Sequence, residues 1–594
     1  MRWRIFTPSG RSALKQYAPP IFLAVLGILV YFNSLSNGWV YDDPVYVTEN
    51  YLIKDFSLFG LKEIFANFYG WDYLPLTLLS FWIDYRLFGL NPEGYHTVNM
   101  LLHIANAILL YGLIGRLRQS SMLAFGVALL FVIHPVHVES VAWISERKNV
   151  LSLLFFLLSF NSYLDRGPRL PSLLFFLLAC LAKTSVVILP LLLLLCDRCF
   201  LEKRFIDSLK TSVPYFMITA VTVGIALMTH SAGGTIRPHA EDNALYTLFS
   251  MIPVFKEYLS KILFPVNLNI WYPSQIFKTP FAFPVLISGA ILALFLYAMK
   301  ASYHRNRTLF FGLAWFVIAL LPVSHIIPFP QMMADRFLYI PSIGIFIAGA
   351  AVFRDSMRCA NFRTRTAIAL AVVFILSSFF VLSVKRIPVY KDNLSLWRDS
   401  IQRDPDNSIA MMYLGISYSI EGDAEQALDK LGRARKLDPK NIRAAMYMGQ
   451  ILEARERLTE AEAIYQEVMR QHPESPAACV HLGIFYGAHG KPGRALALMD
   501  KALSLDPSQG LAHFNRAVIL QQTGEAQEAL GEFQAAVEQE PGNAFFQFNL
   551  GMFYAKNTDR TYLGRAHLQE SLRLNPDQAE APRIRATLAT LSPA

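Results

Sequence analysis

Two adjacent carboxylates, Asp42 and Asp43, stand in the stretch NGWVYDDPVY, directly after the first long apolar run of the chain. A carboxylate close to apolar walls and to a like charge has a raised pKa, and it can take a proton from a hydroxyl as that hydroxyl attacks. Its neighbour can then hold a divalent cation or orient the first acid, and spacing alone does not divide these roles. The plain alternative is a pair of solvated loop acids closed by Pro44. A second group lies in HPVHVESVAWISERKN (134–149). His134 and His137 are one helical turn apart, and with Glu139 they have the residue types of a divalent-metal set; histidines so placed also cap helices. Arg147 and Lys148 in the same stretch are candidates for a lipid phosphate, or else snorkelling anchors. Lys183, in CLAKTSVVILP, is the single charge between two apolar runs and calls for a counter-anion, a role that a phosphate on an isoprenoid lipid can fill. Arg336, in MMADRFLYIPSIG, offers bidentate contact to phosphate, or pairs with Asp335.

The elements that must position these groups are apolar. Of 594 residues, 54% are hydrophobic and 17% charged, which points to several membrane spans. Apolar length and loop charge place about eleven, near 18–32, 96–114, 121–133, 149–164, 170–182, 184–200, 211–229, 281–299, 308–322, 337–353 and 366–384. Segments 74–89 and 246–264 are apolar but carry charges at helical spacing, and read as amphipathic helices on the outer surface. Basic clusters such as Arg198, Lys203 and Arg204, and Arg305 with Arg307, fall on one side when the N-terminus is cytoplasmic. An odd number of spans then puts Asp42, Asp43, His134, His137, Glu139, Glu146, Arg147, Lys148, Lys183, His325, Asp335 and Arg336 on the opposite face, together with the C-terminal part. The basic start (Arg2, Arg4, Arg11, Lys15) precedes the first apolar run without a small-x-small cleavage site, so an uncleaved first span is expected. The net charge is +13 over residues 1–386 and −4 over 387–594. The basic excess therefore belongs to the membrane part and does not argue for nucleic acid. The five cysteines make no disulfide framework, and Cys196-x-x-Cys199 has no second pair to complete a zinc site.

From Trp397 onward the pattern changes. Pro405, Pro439, Pro473, Pro507 and Pro541 recur every 34 residues and Pro576 follows. Within that frame Gly415, Ala427, Leu431 and Ala434 fill small and large positions, continued by Gly449, Ala461 and Tyr465, then Gly483, Tyr486 and Ala502, then Ala529, Phe533 and Ala536, then Gly551 and Tyr554. Small residues let paired helices approach, aromatics fill the gap, and proline ends the second helix: a tetratricopeptide pattern. The repeats run from about 408 to 577, and 390–406 reads as a half-repeat joining them to the last span. Such a solenoid offers a concave groove for peptide segments, or serves as a rigid stalk.

Taken together, YDDP after the first span, YLPLTLLSFWIDYRLFGLNPEGYHTVNMLLH, HPVHVESVAWISERKNVLS, ADRFLYIPSIG and LWRDSIQRDPDN resemble the transmembrane-and-tetratricopeptide-repeat protein O-mannosyltransferases and their bacterial relatives, of the GT-C superfamily of polytopic glycosyltransferases. The resemblance runs from about residue 18 to the C-terminus. It implies a sugar donor on a polyprenyl phosphate and transfer on the lumenal or periplasmic face. It also implies that an acid of the first outer loop, here Asp42 or Asp43, is base or metal ligand. The family usually has an acid after the lysine of LAKTS, where this chain has Thr184.

The expected fold class is therefore all-α: a GT-C-like polytopic membrane domain over 1–386, then an extracytoplasmic tetratricopeptide-repeat domain over 387–594, with a bacterial inner membrane as the setting. The expected activity moves one sugar, with inversion, from a lipid-phosphate carrier to an acceptor hydroxyl, first of all a protein Ser or Thr docked by the repeat groove. Asp42 and Asp43 are the candidate catalytic acids. Lys183, Arg336, Arg147 and Lys148 would bind the donor phosphate, and His134, His137 and Glu139 a divalent metal. A glycan or lipid acceptor, or a non-catalytic scaffold among membrane lipids, are the competing readings.

Overall fold

The computed structural model describes residues 10–66, 73–118, 120–165, 169–232, 238–576 and 578–591; Arg2 and Arg4 of the basic start lie outside them. Among the described residues the chain is helical throughout, without a strand. It divides into one unit of residues 1–53 and 61–403 and another of 54–60 and 404–594.

In the first unit, each of the eleven apolar stretches forms a helix. Among the described residues six helices are long and apolar enough to cross a membrane: Tyr17–Ser36, Pro92–Leu117, Thr184–Leu201, Phe205–Ser231, Phe283–Arg305 and Phe362–Tyr390. A seventh span arises if Ser121–Ile133 and Pro135–Ala142, bent by 54°, count as one. The others expected as spans are shorter or more charged: Arg147–Tyr163 has 17 residues, Leu170–Ala182 has 13, and Pro341–Cys359 carries Arg354, Asp355 and Arg358. The reason is local. His134 is extended ahead of Pro135, whose missing N–H ends the preceding helix. Lys183 is extended between Leu170–Ala182 and the turn Thr184–Ile188. Asp335–Leu338 is a short 3-10 turn ahead of Pro341. Each break delivers polar side chains into an otherwise apolar bundle, and most of them are buried.

Two glycines fix one side of these breaks. A Cβ on Gly312 would meet the carbonyl oxygen of Gly344 at 2.5 Å, and one on Gly344 would overlap that of Gly312, so the helices Arg307–Leu320 and Pro341–Cys359 cross backbone to backbone. Trp315 Nε1 donates to the Ile340 carbonyl at 3.1 Å just below. Gly344→Ala is expected to cost about 1–3 kcal/mol through forced separation of the pair, read as a fall in Tm of the detergent-solubilised protein.

The second unit holds five antiparallel helix pairs, beginning with Ser408–Ile420 and Ala424–Leu437 and ending with Ala544–Asn557 and Thr561–Leu574. The small-to-large pairing read from the sequence is the packing rule of the unit. A Cβ on Gly415 would strike Leu431 at 2.7 Å, one on Gly483 would strike Met499 at 2.7 Å, and Gly449 faces the Tyr465 ring. A single helix, Ala581–Thr590, closes the array by burying Ala581 and Ile584.

Candidate active site

The loop bearing the two acids is held by the chain that follows the last span. Gly38 N–H donates to the Lys391 carbonyl at 2.8 Å, Asn37 Nδ2 to that of Ile387 at 3.2 Å, and Tyr41 N–H to Asn393 Oδ1 at 2.8 Å. Tyr41 is in the left-handed region (φ +52°), which a non-glycine residue adopts only when its surroundings impose it. Its ring lies between Trp143 (5.6 Å) and Trp397 (5.3 Å). Trp397 belongs to the helix Asn393–Arg403, which packs with the membrane unit although its sequence resembles half a repeat.

The turn at Tyr41 parts the two acids. Asp43 is fully buried: Oδ2 accepts from Val40 N–H at 2.8 Å, and Oδ1 from Ser145 N–H at 2.8 Å and Ser145 Oγ at 2.5 Å. It is an anchor. Asp42 is half-buried, and its Oδ1 is out of solvent without a hydrogen-bond partner. Burial pushes the Asp42 carboxyl up to about 6, with Glu146 adding to the rise and Lys148 and Arg336 restraining it. Burial, then the like charge of Asp42, pushes Asp43 up to about 7 against the pull of its Ser145 and Val40 bonds.

Three cations gather around one carboxylate beside this loop. Glu146 Oε1 is 3.4 Å from Lys148 Nζ and 3.4 Å from Arg336 Nε, and Oε2 is 3.6 Å from Lys183 Nζ. Asn149 ties the group together, donating to Glu146 Oε2 at 2.5 Å and accepting from Lys183 Nζ at 2.7 Å. Burial opposes ionisation of Glu146, but Lys148, Lys183 and Arg336 outweigh it and bring the carboxyl down to about 2. Arg336 also bonds Glu139 at 2.6 Å and Gln331 at 2.5 Å, and its guanidinium stands 5.4 Å over the Trp143 ring. Asp335 does not pair with it and accepts instead from Tyr272 Oη at 2.7 Å. A small cavity of ≈ 50 Å³ opens among Asn149, Lys183, Ser185, Arg336, Phe337 and Tyr339. On the other side of the Lys183 break, an apolar trough of ≈ 250 Å³ runs along Leu177, Leu181, Thr184, Met217, Val221 and Ile225.

Arg147 does not join the cations. It is fully buried, its Nη2 bonds Asp84 at 2.7 Å and the Tyr95 carbonyl at 3.0 Å, its Nε bonds Asn99, and it lies 5.2 Å over the Phe81 ring. All its donors face protein, so it cannot reach a phosphate. The metal set does not assemble either. His134 Nε2 contacts the Ile262 carbonyl at 2.9 Å, His137 contacts the Phe131 carbonyl and Ser342 Oγ at 2.8 Å each, and Glu139 is taken by Arg336. No three His, Cys, Asp or Glu side chains among the described residues come together as ligands. The cations around Asp42 would also repel a divalent ion there. Sequence reasoning placed Glu146 on the outer face without giving it a role, and missed Asn149 and Ser145 as parts of the site. The reading of 74–89 as an outer-surface amphipathic helix is corrected at Asp84, which is buried and paired with Arg147.

Fold and site together define a polytopic helical membrane protein with an acid-and-cation centre, continued by tetratricopeptide repeats. Residues 420–481 and 482–544 each match a tetratricopeptide-repeat family. The chain is similar to the protein O-mannosyl-transferase F38B6.6 of Caenorhabditis elegans, with 24% identity over 70% of this chain and 62% of that one. It is likewise similar to the human protein O-mannosyl-transferase TMTC3, with 24% identity over 69% of this chain and 52% of that one. It thus spans little more than half the length of the relatives it matches. A solved structure, that of YrrB, described as a tetratricopeptide-repeat protein with an unusual peptide-binding site, matches 32% of this chain and 97% of its own at 24% identity, with a TM-score of 0.24.

Proposed function

We propose that this protein transfers a sugar, mannose by the names of its relatives, from a polyprenyl-phosphate carrier to a Ser or Thr hydroxyl of a protein on the outer face of the membrane. The observation that carries this reading is the convergence of Asp42 with Lys148, Lys183 and Arg336 around Glu146. In this reading Asp42 takes the proton of the acceptor hydroxyl as its oxygen attacks the anomeric carbon from the side away from the phosphate. The anomeric C–O bond breaks, its electron pair leaves with the phosphate, and the configuration inverts. Lys148, Lys183 and Arg336 stabilise the charge that builds on the departing group. Phosphate is a good leaving group, so no acid is needed opposite the base. The apolar trough beside Lys183 suits an isoprenoid chain, whose phosphate would then reach the cations. In this reading the N-terminus is cytoplasmic and the bent pair Ser121–Ile133 and Pro135–Ala142 is a seventh span, so the site and the repeats face the periplasm or lumen, with a bacterial inner membrane as the setting, and the repeat groove presents the acceptor.

The test is an assay of the purified protein in detergent with a panel of polyprenyl-phosphate sugars and Ser/Thr-rich acceptor peptides. Mannose transfer with inverted linkage supports the reading. No turnover of any donor, even with added envelope extract, would transfer the protein to the scaffold class. In the same assay Asn393→Ala, which releases the Tyr41 N–H, is expected to lower kcat by roughly 10–100-fold through misplacement of Asp42. KM for the donor and Tm should change little.

A further inference from the structure

Glu146 lies at the centre of the three cations but has no part in the transfer step, and its placement is specific. Its side chain is 1% exposed, both carboxylate oxygens are engaged by cations, and Asn149 fixes its orientation. Three cations packed this closely without an anion would repel one another, and a buried carboxylate among them removes that cost. The cavity bounded by Lys183, Asn149 and Arg336 has room for a small polar group beside the same cations. A phosphate entering there must share them with Glu146, which is already negative and cannot move far.

Resting on the reading of these cations as the phosphate-binding group, we infer that Glu146 is an internal competitor for the phosphate. It is a positioning residue that keeps Lys148, Lys183 and Arg336 assembled before the donor arrives and weakens their hold on the phosphate left after transfer. The donor phosphate, a diester carrying one negative charge, meets less repulsion from Glu146 than the product monoester does once the sugar has gone and its second charge develops. The carboxylate thereby favours entry of the sugar-bearing lipid and exit of the bare one.

The experiment measures binding of a sugar-free polyprenyl phosphate, and separately of inorganic phosphate, to the full-length protein in detergent. Glu146→Gln removes the competing charge at constant shape and is expected to bind the lipid phosphate roughly tenfold more tightly than wild type. Glu146→Asp draws the charge back by one methylene and should fall between the two. In the transfer assay Glu146→Gln should lower both kcat and KM, the pattern of retained product. A merely structural role predicts weaker binding in both variants. Equal or weaker binding by either folded variant overturns the inference while leaving the site reading intact. Wild-type protein that binds neither phosphate probe overturns both, and tightening for inorganic phosphate alone overturns the lipid product as the group expelled.

Discussion

Asp42→Asn is expected to reduce sugar transfer by about 10³-fold, within the range that loss of a positioned general base produces, while leaving Tm close to wild type. The carboxylate makes few bonds that the fold relies on: Oδ1 has no hydrogen-bond partner. An amide fits the same space and cannot accept the proton. The pH profile should carry the same signature. The base must be ionised to act, and burial brings Asp42 up to about 6. kcat/KM should therefore be level above that value and fall about tenfold per unit below it. Asp43 gives the contrasting result. Asp43→Ala leaves the Ser145 and Val40 N–H groups unpaired in a buried site and is expected to lose about 1–3 kcal/mol of stability together with activity. Assays and thermal melts on the two variants side by side assign the base: the acid whose loss spares Tm is the one that does chemistry.

The second large effect is one of stability. Arg147→Met should cost about 3–5 kcal/mol, because it leaves Asp84, 3% exposed, as an uncompensated charge inside an apolar helix bundle. The double variant Arg147→Met with Asp84→Leu removes both charges and should recover most of the loss. Donor KM in that double variant should match wild type, whereas Lys183→Met should raise it. A double variant that folds but no longer binds donor would return Arg147 to the phosphate-binding group.

These contrasts show where sequence reading reaches its limit. The repeats were legible because a 34-residue period writes a small-on-large packing contact again and again, as Gly415 on Leu431 and Gly483 on Met499. The membrane helices were legible because apolar length is a local property, although short helices such as Leu170–Ala182 showed that a buried break passes for a span end. Asp42, Lys183 and Arg336 stood out as charges at membrane margins. What separates Arg147 from Lys148 is not local: the first turns toward Asp84, 63 positions earlier, and the second toward Glu146. The metal reading of His134 and His137 failed because their ring nitrogens are already occupied, locally by Val136 N–H and the Phe131 carbonyl and across the fold by the Ile262 carbonyl and Ser342 Oγ.

The helix Asn393–Arg403 carries a practical consequence. By sequence it looks like the start of the repeats, so a truncation meant to remove them would naturally be cut near residue 387. That cut would also delete Lys391, Asn393 and Trp397, which hold Gly38 and Tyr41 next to Asp42. On the proposed reading a protein shortened there would lose activity because Asp42 is no longer held in place, and the result would be misread as a requirement for the repeats. Cutting after Arg403 keeps those three residues, and only that end point asks whether catalysis needs the array.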